Sequence, residues 1–193
     1  MSEHVSEFFA GVGETAKRID VGKIGQLVEE LVRLRSRGGR LFLIGVGGSA
    51  ANASHAASDF RKLCGIEAYA PTDNVAELTA RANDEGWNSV FSEWLKVSHF
   101  GHKDALFVLS VGGGTPSISA NIAEAIWFAK RRSARVLGVV GRSDGAAARE
   151  GDVVVVVPEY APCWVTPLSE AFQAVIWHCI VSHPALQLAQ TKW

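Results

Sequence analysis

Gly45-Val46-Gly47-Gly48-Ser49 follows directly on the apolar run Leu41-Phe42-Leu43-Ile44 and leads into a helical pattern carrying His55 and Asp59. Four consecutive apolar residues before a glycine turn read as a strand buried on both faces of a parallel sheet. The glycines let the backbone turn sharply and come close to a ligand. Ser49 falls at the start of the next helix, where free backbone N–H groups and the helix dipole favour an anion. Strand, turn and helix together predict a phosphate cradle. The plain structural alternative is a serine-capped helix start that binds nothing. The stretch lacks the Lys of a Walker A loop. Gly45, Gly47 and Ala50 satisfy the GxGxxA form of the dinucleotide fingerprint. The next strand ends in Ala68-Tyr69-Ala70-Pro71 without an acidic residue, although Asp73 stands nearby, so nicotinamide binding is the weaker alternative.

Outward from this turn, helices alternate with short apolar strands. Residues 4–36 read as helical with an interruption at Asp20-Val21-Gly22, ended by Gly38-Gly39. A helix over about 49–63 precedes a strand from Ile66 to Ala70. A helix carrying Ala76-Glu77-Leu78-Thr79 is broken by Asn83-Asp84-Glu85-Gly86, and another carries Trp87, Phe91, Trp94 and Leu95. Further strands are expected at Ala105–Leu109, Val136–Val140 and Val153–Val157. Helices are expected from about Ser119 to Arg132 and from Pro167 to Val181. Five strands in this alternation predict an α/β sandwich around a parallel sheet, with ligands beyond the C-terminal strand ends.

A second glycine-rich turn, Ser110-Val111-Gly112-Gly113-Gly114-Thr115-Pro116-Ser117, follows the third strand, with Ser119 just beyond it. Neutral hydroxyls and backbone N–H groups can hold a phosphate without a Lys. Two such turns at one sheet edge favour a phosphate–sugar pocket over a pair of flexible loops.

The 193 residues are 48% hydrophobic, enough for one ordinary core. A net charge of −1 and no basic block beyond Lys130-Arg131-Arg132 give nucleic-acid binding no electrostatic support. No segment has the apolar length of a membrane span, and Met1-Ser2-Glu3-His4 lacks the pattern of a signal peptide. Cys64, Cys163 and Cys179 are odd in number and show no CxxC spacing, which points to reduced thiols in a cytoplasmic protein.

His55 and Asp59 share a helix face. Glu170 and His178 lie eight residues apart on the last predicted helix, about 12 Å along a straight axis. Either that helix starts after Glu170, or the two serve a site built between chains. Two imidazoles and two carboxylates suit a divalent metal such as zinc. Helix ion pairs or a hydrogen-bonded core histidine are the alternative.

Over residues 20–182 the chain resembles the sugar isomerase (SIS) domain family, and within it the sedoheptulose 7-phosphate (phosphoheptose) isomerases. The marks are Gly45–Ser49, His55 and Asp59, Asn83-Asp84 before Gly86 and Phe91, Ser110 at the second turn, and His178. The resemblance implies a three-layer α/β/α sandwich with a central five-stranded parallel sheet, spanning residues 1–193 with a helical extension over about 1–38. It implies a cytoplasmic homotetramer with active sites at subunit contacts. The implied activity is ketose-to-aldose isomerisation of a sugar phosphate, most directly sedoheptulose 7-phosphate to glycero-manno-heptose 7-phosphate through an enediolate. It implies zinc on His55, Asp59, Glu170 and His178. Asp59 or Glu170 is then the base and His178 the acid. Gly47, Gly48, Ser49, Asn83, Asp84, Ser110, Gly112, Gly113, Thr115, Ser117 and Ser119 hold the substrate. The chain departs from the family pattern at several places: Asp59 stands for Glu, Glu170 for Gln, Val46 for Asn and Gly112 for Ser, and the loop to Ser119 is longer. A non-catalytic relative that docks a replication initiator shares the Ala50-Ala51-Asn52 sequence, so a binding or docking protein is the competing expectation, alongside an isomerase of another sugar phosphate.

Overall fold

The computed structural model describes residues 2–191; Met1, Lys192 and Trp193, at the ends of the expected 1–193 span, lie outside the described residues. Helices α1 (Ser2–Arg18) and α2 (Val21–Ser36) precede the sheet. The remaining order is β1 (Leu41–Ile44), α3 (Gly48–Cys64), β2 (Ala68–Tyr69), α4 (Val75–Asp84), α5 (Val90–Val97) and β3 (Ala105–Ser110). It continues with α6 (Ala120–Arg131), β4 (Arg135–Val140), α7 (Ala146–Glu150), β5 (Val153–Val156) and α8 (Val165–Val181).

All strand pairs are parallel, in the order β2-β1-β3-β4-β5. Alternate side chains of each strand feed opposite layers. Leu41, Leu43, Phe107, Leu109, Leu137 and Val139 pack with α2, α3 and α8. Phe42, Ile44, Leu106, Val108, Val136 and Val140 pack with α5, α6 and α7. Strands covered on both faces must be apolar throughout, which is why β1 and β3 show no polar alternation. The chain leaves β1 toward β2 on one side and returns to β3 on the other. The crevice between the C-terminal ends of β1 and β3 is therefore the topological switch point, where open α/β sheets bind ligands. Both glycine-rich turns open there.

The break between α1 and α2 is a helix start: the Asp20 carboxylate accepts a hydrogen bond from Lys23 N at 3.0 Å. On α2, Leu27, Leu31 and Leu34 face the sheet. The expected strand over 66–70 contracts to Ala68–Tyr69, because Pro71 opens a 3-10 turn and has no N–H for the ladder. Asn83 and Asp84 complete α4 instead of breaking it, and the chain turns at Gly86, with φ 88°. Trp87 lies in a 3-10 turn ahead of α5. Helix α8 begins at Val165, with Pro167 in its first turn, where its missing N–H costs nothing.

One ion pair ties the N-terminal ends of β1 and β3 together. Asp104 is buried and accepts from Arg40 N (3.0 Å), Arg40 Nε (3.1 Å), Arg40 Nη2 (2.8 Å) and Gly101 N (3.0 Å). Burial by itself pushes the carboxyl pKa up, but the hydrogen bonds from Arg40 and Gly101 outweigh it and hold the group below its ordinary value. A depressed folded-state pKa stabilises the protein above the unfolded value of about 3.9. That contribution disappears as pH falls through the folded value. Asp104→Ala is expected to lower unfolding free energy by about 2 kcal/mol at pH 7. In urea melts, the gap from wild type should shrink steadily as the pH is taken below about 4. A gap unchanged at low pH would contradict this role for the carboxylate.

Candidate active site

Helix α3 opens on Gly47, whose φ is 63°, with no side-chain cap. The serine cap of the plain structural alternative is absent. Ser49 instead lies within the first turn, only 2% exposed, and faces α8. Its hydroxyl donates to Glu170 Oε1 at 3.3 Å and accepts from Gln173 Nε2 at 3.1 Å. Asn52 Nδ2 binds both the Glu170 carbonyl (2.9 Å) and Gln173 Oε1 (2.8 Å). A Cβ on Gly48 would stand 2.5 Å from Glu170 Oε2. Only glycine admits the carboxylate this close. The anion at the α3 N-terminus is thus the protein's own Glu170, where the helix end stabilises negative charge.

In this position Glu170 stands apart from the other three residues of the ligand set expected from sequence. Because α8 is continuous from Val165 to Val181, Glu170 and His178 remain eight residues apart on one helix. Glu170 is held by the first turn and does not join the histidines.

The structure does bring His55, Asp59 and His178 together, with ligand atoms within 4.8 Å of one another. Asp59 Oδ2 lies 3.6 Å from His55 Nε2 and 3.6 Å from His178 Nε2. It accepts a hydrogen bond from the buried Trp177 Nε1 at 3.2 Å. His178 Nδ1 is 2.8 Å from the Ala174 carbonyl, an acceptor only, so Nδ1 carries the proton and Nε2 presents a lone pair. A lone pair and a carboxylate oxygen facing each other, too far apart for a hydrogen bond, are suited to a cation between them. Two imidazoles and a carboxylate match a zinc donor set that leaves a coordination position open. The carbonyl behind His178 and the indole behind Asp59 are the kind of outer contacts that orient metal ligands.

The second turn forms one wall of a cavity of about 490 Å³ at the switch point. Val46, Ser49, Ser110, Gly112, Thr115 and Ser119 line it. Ser110 is buried and accepts from Gly113 N at 3.0 Å, which leaves its own O–H free to donate. Thr115 closes a small turn by accepting from Ile118 N at 2.9 Å. Ser119, at φ 55°, directs the chain into α6. Gly47, Gly48 and Gly113 shape the turns without lining the cavity. Ser117 is exposed and reaches only Thr115, at 3.4 Å. Asn83 and Asp84 are also exposed, bonded to each other at 2.7 Å, and this chain does not bring them to the cavity. Asp73, the residue that kept the nicotinamide alternative open, accepts from Ser54 in a separate hollow beside β2.

Sequence patterns did not point to Asn52, Gln173, Trp177, Arg142 or Asp144. The last two line the cavity from the loop after β4. Cys64 supplies no nucleophile. Cys64 is buried, and burial, with a smaller push from Asp59 against Arg35, raises its thiol to about 11. No helix among the described residues is long and apolar enough to cross a membrane.

Residues 7–141 match the SIS domain family. A phosphoheptose isomerase of Thiobacillus denitrificans is 35% identical over 145 residues, covering 70% of this chain and 71% of the relative. One of Roseiflexus is 33% identical over 139 residues, covering 69% and 68%. The structure of phosphoheptose isomerase GmhA from Neisseria gonorrhoeae aligns with a TM-score of 0.79 at 28% identity, over 93% of this chain and 94% of that one. The family match ends at Gly141, so the α8 residues that meet Ser49 and Asp59 rest on the geometry and on the full-length structural likeness. The chain belongs to the SIS domain family, among its phosphoheptose isomerase-like members.

Proposed function

We propose that this protein is an aldose–ketose isomerase that converts sedoheptulose 7-phosphate to glycero-manno-heptose 7-phosphate. The observation that carries this reading is a single switch-point cavity with the hydroxyls of Ser110, Thr115 and Ser119 along its wall and Ser49, which holds Glu170, at its edge.

The reaction moves one hydrogen from C1 to C2 and another from O1 to O2. Glu170 is the base: its carboxylate takes the C1 proton and returns it to C2, with an enediolate between the two steps. The α3 N-terminus and the Ser49 hydroxyl hold the carboxylate at the edge of the cavity, which limits the freedom lost in reaching the reacting carbon. The second-turn hydroxyls anchor the far end of the substrate. Gly113 allows the second turn to approach it, while Gly47 and Gly48 let the first turn take in the Glu170 carboxylate. His55, Asp59 and His178 would hold a divalent metal, zinc by the chemistry of the donors, whose charge would polarise the substrate carbonyl. When Nε2 of His178 is not engaged as a ligand, it is the group that carries the proton between the substrate oxygens. Nδ1 is committed to Ala174, so the two roles exclude each other at any instant.

The same reading takes residues 1–193 as one SIS domain with residues 1–38 as a helical extension, assembled as a cytoplasmic homotetramer. Val5 and Phe9 on α1 are 54% and 67% exposed, as expected of a helix covered by another copy. Asn83, Asp84 and Ser117, which do not reach the cavity of their own chain, are assigned to the contact between copies. The test is an assay of purified protein on sedoheptulose 7-phosphate, with added zinc and with chelator. Aldose product in at least one condition is expected, and no turnover in either would remove the proposed reaction.

A further inference from the structure

We propose that Arg142 is the charge partner of the substrate phosphate, and that Asp144 sets the direction in which the ester lies. The assignment rests on the sugar-phosphate reading above but on different residues. The α3 N-terminus is already filled by the Glu170 carboxylate, so a phosphate dianion placed there would meet a like charge. The second turn offers hydroxyls but no cation, and its positions 111 and 112 are Val and Gly. Among the described residues, Arg142 is the only cationic one lining the cavity. It forms no ion pair with any described residue, Asp144 included.

The Arg142 backbone is fixed relative to the second turn on both sides. Gly141 N donates to Val111 O at 2.9 Å. Ala146 N donates to Gly114 O at 2.8 Å and Ala147 N to Gly113 O at 2.9 Å. Gly145 packs so tightly on Gly112 and Gly113 that any Cβ would collide with their backbone. The two loops are therefore one rim. Arg142 and Ser110 line the same cavity, and there the planar guanidinium fork can take two phosphate oxygens. Asp144, two residues on, repels the phosphate from its own side and accepts hydrogen bonds from sugar hydroxyls. The ester is thereby oriented with its phosphate toward Arg142.

The test is calorimetric titration of wild type, R142Q and R142K with sedoheptulose 7-phosphate and with unphosphorylated sedoheptulose, at one ionic strength, alongside the isomerase assay. Arg142 is exposed, so both variants should fold as wild type does. R142Q is expected to weaken ester binding by roughly 10- to 100-fold, with R142K between. The unphosphorylated sugar should bind all forms alike, and the loss should appear in KM with kcat changed by less than about threefold. Equal ester affinity in wild type and R142Q would overturn the assignment. So would a wild type that binds the ester no better than the free sugar. Arg142-dependent ester binding without turnover would instead overturn the isomerase reading and leave the anion site standing.

Discussion

His178→Ala is expected to lower kcat on sedoheptulose 7-phosphate by about 10²- to 10⁴-fold, the range for loss of a positioned acid–base group. The substitution removes little packing, since the imidazole is half exposed on α8 and its side-chain bonds are to Ala174 O and the Asp59 neighbourhood. Circular dichroism, thermal midpoint and oligomer size should stay near wild type, which separates a chemical defect from a folding one. Zinc content adds a second readout. Losing Nε2 removes one of three converging donors, so metal retained after dialysis should fall together with activity if His178 acts as ligand. Full metal retention with the same kinetic loss would assign Nε2 to proton transfer. Unchanged kcat would remove His178 from the chemistry altogether.

The parts of this site that were legible in the sequence share one property: they lie at fixed offsets from strong local signals. The apolar runs of β1 and β3 end in glycine turns, so their placement at one sheet edge followed from strand direction alone. His55 and Asp59 are four apart on a helix, which puts them on one face wherever that helix packs. The docking of α8 is different, because its apolar residues go almost all round and periodicity cannot say which residue meets which neighbour. Glu170 and His178 therefore looked like members of one ligand set, whereas α8 lies along α3 and delivers Glu170 to its first turn and His178 to the His55–Asp59 face about two to three turns further on. The Trp177 contact to Asp59 depends on the same docking. Arg142 and Asp144 were illegible for another reason. They sit in a loop with no motif, and only the backbone bonds of Gly141, Ala146 and Ala147 to the second turn bring them to the cavity. Helix α7, five residues long, is too short to show a helical period at all.

Glu170→Gln decides between the two carboxylates that the sequence left as candidates for the base, and it is expected to lower kcat by about 10²- to 10⁴-fold. The amide has the same shape, and its oxygen can still accept from Ser49. The bonds from Asn52 to the Glu170 carbonyl and to Gln173 do not involve the Glu170 side chain. The loss of favourable charge at the α3 N-terminus should cost only about 0.5–1 kcal/mol of stability. Metal binding should be unaffected, because Glu170 takes no part in the His55–Asp59–His178 group. What the amide cannot do is take a proton from carbon. The resemblance sharpens this test, since the family usually carries Gln at this position and leaves proton abstraction to the carboxylate that Asp59 replaces. Asp59 is one carbon shorter than that Glu and is already turned toward Trp177 and both histidines. On the proposed assignment the catalytic carboxylate sits on α8 instead of α3, and Gln cannot stand in for it. Activity of the Gln variant within about threefold of wild type, with substrate affinity intact, would return the base to Asp59 and make Glu170 a binding residue only.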